Sequence, residues 1–279
     1  MNKKKPTRSK DTKSYYAYKP QSKGVKLKKH FGQHFLRDVS VVQTMLQAVS
    51  LKDKNVFEIG CGDGFLTRQI MASDIKKLWV FEIDGQWVSV VQNEFAKDTR
   101  LTMFHENILD VDGIRFLKDA PWILLSNLPY QVTFPILKKL YDMRSCVTEG
   151  VIMVQEEVAQ KIVQKGGRGY GYISLFFQYY FEWRLLTKIA PTAFFPPPAV
   201  YSRLMYFSIK LDVKPIMNEE KFWKFIKSCF AQPRRTFYNN IISTGYDAAL
   251  IPEKYHGLRS QQMTIDDFLS IWQMLCSAC

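Results

Sequence analysis

Asn55-Val56-Phe57-Glu58-Ile59-Gly60-Cys61-Gly62-Asp63-Gly64-Phe65-Leu66 is a short strand pattern that runs into three glycines at alternate positions and then into a helical pattern. A turn of this kind lets a ligand lie almost against the backbone, because no Cβ intervenes. The dinucleotide fingerprint G-x-G-x-x-G would need glycine at position 65, where Phe65 stands, and this weighs against NAD(P). Glu82 comes 22 residues after Gly60, at the predicted end of the next strand. A carboxylate there can accept hydrogen bonds from both hydroxyls of a ribose. A ribose and an adenine without a pyrophosphate describe S-adenosylmethionine (SAM). Three glycines alone are equally a structural turn; the spacing to Glu82 is what points to a cofactor.

Outward from this turn, the apolar pattern alternates. Helical spacing covers Val39 to Val49, resumes from about Leu66, and recurs over Gln86 to Phe95 and Phe134 to Met143. Strand patterns cover Leu78 to Glu82, Leu101 to Phe104, Trp122 to Ser126 and Val151 to Val154. Strands alternating with helices predict an α/β fold, a parallel doubly wound sheet covered on both faces, with ligands collecting at the carboxyl ends of its strands. After Lys210 the pattern becomes helical. Asn218 is placed to cap a helix carrying Phe222, Phe225, Ile226, Cys229 and Phe230, and Thr264-Ile265-Asp266-Asp267 is a capping box before Phe268, Ile271, Trp272 and Leu275.

The chain has 279 residues, 47% apolar and 23% charged, so it has the composition of a globular protein rather than of a disordered or collagen-like one. No apolar run approaches the roughly 18 residues of a membrane span. The net charge of +13 is concentrated at the start: residues 1–30 hold eleven Lys/Arg and one acid, against 28 bases and 25 acids in the rest. Tyr15, Tyr16 and Tyr18 interleave with those lysines, a composition that suits an arm for a polyanion and equally a solvated leader. No apolar stretch follows the basic one, so a secretory signal is not indicated and the cytoplasm is the expected compartment. Five scattered cysteines and four histidines support neither a disulfide framework nor a metal site.

Ser126-Asn127-Leu128-Pro129-Tyr130 follows an apolar strand, which puts Asn127 at the rim of the expected cofactor site. The exocyclic amine of a nucleobase is a poor nucleophile, because its lone pair is delocalised into the ring. The Asn127 side-chain oxygen and a backbone carbonyl, that of Leu128, can each accept an N–H bond and favour a pyramidal nitrogen. Tyr130 can stack on the base, and Pro129 stiffens the turn. In Phe194-Phe195-Pro196-Pro197-Pro198, consecutive prolines expose a neighbouring aromatic at small entropic cost, and Phe194 is the candidate for the other face of the base. A hydrophobic loop packed on the core accounts for at least one of the two phenylalanines.

Together these segments resemble the ribosomal RNA adenine dimethyltransferases, most closely the bacterial KsgA type that modifies small-subunit rRNA. The resemblance covers nearly everything from Lys28 onward. It includes Lys29-His30-Phe31-Gly32-Gln33-His34-Phe35-Leu36, the glycine turn, Glu82, Asn127 to Tyr130 and Met153-Val154-Gln155-Glu156-Glu157-Val158-Ala159. Further on it takes in the Phe194 segment, Gln232-Pro233-Arg234-Arg235-Thr236, Asn239-Asn240, Arg259 and Met263 to Phe268. It implies a Rossmann-like SAM-dependent methyltransferase sheet with helices on both faces over 28–211, a small helical domain for rRNA contact over 212–279, and a basic arm over 1–27.

It further implies that His34, Leu36, Gly60, Gly62, Glu82, Asn107 and Asn127 line the SAM site, and that Asn127, Leu128, Pro129, Tyr130 and Phe194 handle the target adenine. His34 stands where many members have Asn, and Asn107 where many have Asp, so a neutral acceptor replaces a charged one. The implied reaction is direct transfer of the SAM methyl to the N6 amine of a flipped-out adenine. It occurs twice on each of two adjacent adenines near the small-subunit rRNA 3′ end, within an immature subunit and by a monomer. The pocket must then be broad enough for a monomethylated amine. Three alternatives stand beside this one: a large-subunit methyltransferase of the antibiotic-resistance type, a DNA amino-methyltransferase, and an assembly factor that binds RNA without activity.

Overall fold

The computed structural model describes residues 34–277. The basic arm, residues 28–33 of the family-like opening and Cys279 lie outside the described residues. Seven strands form one sheet: β2 (Asn55–Ile59), β3 (Lys77–Phe81), β4 (Leu101–Phe104), β5 (Trp122–Asn127), β6 (Val147–Gln155), β7 (Phe181–Ile189) and β9 (Ser202–Ile209). Their order is β4-β3-β2-β5-β6-β9-β7. The first five are parallel; β9 runs antiparallel to both β6 and β7, which makes the sheet mixed rather than wholly parallel. A separate two-stranded ribbon pairs β1 (Phe35–Leu36) with β8 (Phe194–Phe195).

Side-chain alternation with period two divides the sheet between two cores. Val56, Ile123, Leu125, Val151 and Met153 face α1 (Val39–Gln47) and α2 (Phe65–Met71), meeting Val42, Met45, Leu66 and Ile70. Phe57, Ile59, Trp122, Leu124, Ile152 and Val154 face the other side and meet Phe116 of α4 (Ile114–Leu117) and Ile136, Leu137 and Leu140 of α5 (Thr133–Asp142). Two buried faces explain why these strands read as nearly continuous apolar runs.

The chain leaves β2 toward β3 and β4 on one side, and continues to β5 and β6 on the other. The order reverses between β2 and β5, so a crevice opens where both strands end. Gly60 follows β2 and Asn127 ends β5, and the two expected motifs therefore meet there.

The second core continues without a break into α8 (Glu219–Cys229), α9 (Phe237–Ile242) and α10 (Ile265–Ser277). Trp223 of α8 packs edge-on against Phe176 of α7 (Tyr172–Tyr180), with centroids 4.9 Å apart. Glu219 accepts from the hydroxyls of Tyr141 and Tyr180, and Trp223 donates to the Tyr180 oxygen at 2.8 Å. The C-terminal helices thus share the core of the sheet instead of enclosing one of their own. At the start of α8, Asn218 has left-handed backbone (φ 51°) and makes no side-chain capping bond, so the expected cap is not formed. The Thr264 and Asp267 box is formed, with reciprocal bonds of 2.8 and 3.3 Å. Among the described residues no helix is long and apolar enough to cross a membrane.

Candidate functional site

A cavity of about 250 Å³ opens at the crevice. Its wall begins with the glycine turn, where Gly60 and Gly62 have φ of 74° and 51°. At Gly62 a Cβ would stand 2.8 Å from Cε1 of Phe35, so the turn admits glycine alone on both steric and conformational grounds. Arg37 fastens the β1 ribbon to this turn through a 2.7 Å ion pair with Asp63.

Glu82 follows β3 and is 6% exposed. Its two carboxylate oxygens accept from the backbone N–H of Gly62 at 3.1 Å and of Asp84 at 2.9 Å, which fixes the carboxylate plane at the cavity edge. Burial raises its pKa despite these donors. Asn107 reaches the same cavity, and its side-chain oxygen also accepts from the Leu109 N–H at 3.1 Å, capping the 3-10 turn Ile108–Asp110. Asn107 therefore both caps this turn and borders the cavity.

Across the cavity, the Asn127 amide nitrogen donates to the His34 carbonyl at 3.4 Å, which directs the side-chain oxygen away from that contact. Ser126 donates to the Ile59 carbonyl at 2.7 Å, and the Leu128 N–H donates to the Met153 carbonyl at 3.1 Å. The end of β5 is thereby tied to strands on both of its sides. Tyr130 shares a 2.6 Å bond with Ser202, and its ring stacks with His34 at 6.2 Å. His34 in turn bonds the Pro196 carbonyl through Nδ1 at 2.8 Å.

His34, Leu36, Gly60, Gly62, Glu82, Asn107, Asn127, Leu128, Pro129 and Tyr130 thus all border one cavity. Phe194 does not. Register pairs Phe194 with Leu36 and Phe195 with Phe35, so Phe194 points into the core at 4% exposure while Phe195 stands out at 48%. The ring expected to face the base is accordingly a core residue beside Leu36, its cross-strand partner.

Glu58 was not anticipated. It sits within β2, borders the cavity, and accepts from Thr67 Oγ1 at 2.7 Å. Complete burial, reinforced by the nearby Glu82 charge, pushes its pKa up to about 8. The available signal was a lone acid in an otherwise apolar run. The unfolded chain releases this proton near pH 4.5, whereas the folded chain keeps it to about pH 8. Its contribution to stability is therefore fully present below pH 4.5 and is lost as pH rises toward 8. Glu58→Gln should melt increasingly above the wild type between pH 5 and 8.5, by the equivalent of a few kcal/mol at the upper end. A difference in melting temperature that does not change with pH would show that Glu58 is ionised throughout.

Among the described residues the cavity is bordered by four carboxyl side chains (Glu58, Asp63, Glu82 and Glu106) and by no lysine or arginine. A pyrophosphate would find no lysine or arginine among them. Asp63 and Glu106 are already paired with Arg37 and Arg115 and Glu58 keeps its proton to about pH 8, so what the cavity offers is acceptors in Glu82, Asn107 and Asn127, which the ribose and adenine of a nucleoside can engage; the residues present fit SAM.

A family model described as "Ribosomal RNA adenine dimethylase" matches residues 24–275 of the chain. The "Ribosomal RNA small subunit methyltransferase A" of Mesomycoplasma hyopneumoniae is 34% identical over 216 residues, 77% of this chain and 81% of that protein. The protein of the same name from Coxiella burnetii is 30% identical, covering 91% and 99%. Among solved structures, a dimethyladenosine transferase from Plasmodium falciparum superposes with a TM-score of 0.72 at 20% identity, covering 85% and 96%. The 23S rRNA methyltransferase ErmE superposes at 0.68 with 17% identity, covering 87% and 99%. These two likenesses establish the fold.

Proposed function

The chain belongs to the ribosomal RNA adenine dimethylase family, and from this premise we propose that its substrate is small-subunit rRNA. It is a SAM-dependent rRNA adenine dimethyltransferase. On our reading it modifies the N6 amines of two adjacent adenosines near the 3′ end, acting as a cytoplasmic monomer on an immature subunit. The names of relatives 30–34% identical over most of their length support the choice of subunit. The observation that carries the site assignment is the junction of β2 and β5, where the Glu82 carboxylate and the Asn127 amide border one cavity that has no lysine or arginine among the described residues.

SAM supplies an electrophilic methyl group, and what remains for the protein is binding and aim. Glu82 holds the ribose hydroxyls, Asn107 addresses the adenine edge, and Gly60 and Gly62 let the nucleoside lie against the backbone. Asn127 Oδ1 and the Leu128 carbonyl accept the N–H bonds of the target amine, and Tyr130 stacks on the target ring. Phe194 acts from the core, by pairing with and positioning Leu36. No side-chain base is required, because the amine nitrogen becomes acidic once alkylated and sheds its proton to water. After the first transfer one N–H remains, and one acceptor is enough to aim it for the second.

Mass analysis of rRNA fragments after incubation of unmodified small subunits with protein and SAM tests the reading. Two adjacent dimethyladenosines near the 3′ end are expected. Methylation of large-subunit RNA alone would overturn the choice of subunit, and no methylation of either would overturn the activity.

A further inference from the structure

Tyr130, which borders the cavity, is bonded to Ser202, and beside Ser202 in the chain stands an exposed ring that the reaction does not use. Tyr201 immediately precedes Ser202, the partner of Tyr130, yet its own ring is 50% exposed. The Tyr201 carbonyl accepts from the Glu156 N–H at 2.9 Å, which fixes its backbone at the carboxyl end of β6. On one face of the ring lies the Lys188 ammonium from β7, 4.6 Å from the centroid. Lys188 is itself exposed. The nearby acid is Glu156, and Arg203 engages both of its oxygens at 2.8 Å, so its charge is already matched.

An exposed aromatic with a cation on one face fits one partner chemistry well: a nucleobase on the open face with its phosphate near the ammonium. Resting on the rRNA reading above, we propose that Tyr201 and Lys188 form a platform for the nucleotide next to the target adenosine. Only Ser202 separates Tyr201 along the chain from the hydroxyl contact to Tyr130. When one of two adjacent adenosines enters the cavity, its neighbour is delivered to this rim. Tyr201 is thus a positioning residue for RNA, with no contact to the cofactor.

The test uses the full chain and an RNA stem-loop carrying two adjacent adenosines in its loop, with 2-aminopurine placed beside the target in either direction. Binding should quench 2-aminopurine fluorescence at one of the two positions. Tyr201→Ala should abolish that quench and weaken RNA binding by about 5- to 100-fold, while Tyr201→Phe keeps both. Lys188→Gln should lower the slope of log affinity against log salt by about 0.7. SAM affinity by calorimetry should stay within twofold in all three variants. An unchanged quench and RNA affinity in Tyr201→Ala would overturn the proposal, as would a parallel loss of SAM binding. Methylation of unmodified small subunits by the wild type is scored separately, so a failure of the rRNA reading is distinguishable from a failure of the platform.

Discussion

Asn127→Ala is expected to lower the rate of methyl transfer by about 10²- to 10³-fold, the effect of removing one preorganised polar group aimed at developing charge. The side chain is held on one side by the His34 carbonyl and at its base by the anchored end of β5, so in the proposed reaction its oxygen would meet the amine without reorganising. Alanine removes that acceptor while leaving the glycine turn and Glu82 in place. Single-turnover incorporation of labelled methyl into unmodified small subunits is the measurement, together with calorimetric SAM titration. The loss should fall on the rate far more than on RNA affinity. Equal incorporation by variant and wild type would remove Asn127 from the chemistry.

Glu82→Ala should act on the cofactor instead. The variant loses the carboxylate proposed to accept from the ribose hydroxyls and also strands the N–H groups of Gly62 and Asp84, which the carboxylate holds at 3.1 and 2.9 Å. A hydrogen bond to a charged group contributes about 1.5–3 kcal/mol, so SAM affinity should fall by about 100-fold or more. Glu82→Gln should fall between, since its amide can accept one of these bonds but presents an NH2 to donors. RNA binding measured without SAM should be nearly unchanged. An affinity for SAM within threefold of the wild type in Glu82→Ala, with a normal melting curve, would show that the ribose is held elsewhere.

The two acceptors differ in how they could be found. Asn127 lies in a contiguous tetrapeptide whose proline and tyrosine announce a rigid turn. Glu82 is recognised only by its distance from a glycine turn, which works because a parallel βαβ unit has a nearly fixed length. Glu58 carries no comparable signal: five residues of β2 are all buried, and an acid among them reads as an irregularity until the sheet shows it beside Thr67 and Glu82.

Local patterns in the chain were enough to determine the alternating α/β order, the glycine turn, the Thr264 box and the placing of Glu82 and Asn127 near that turn, because backbone preferences and short spacings act within a few turns of the chain; His34, Leu36 and Asn107 came only from the family resemblance, and Glu58 from neither. Tertiary structure alone decided which of Phe194 and Phe195 is buried, since that depends on register with Phe35 and Leu36 about 160 residues earlier. It likewise decided that β9 and β7 run antiparallel, that the C-terminal helices complete the core of the sheet, and that Lys188 meets Tyr201. A one-residue shift in strand pairing exchanges the two faces, and no local preference opposes it; long-range packing does.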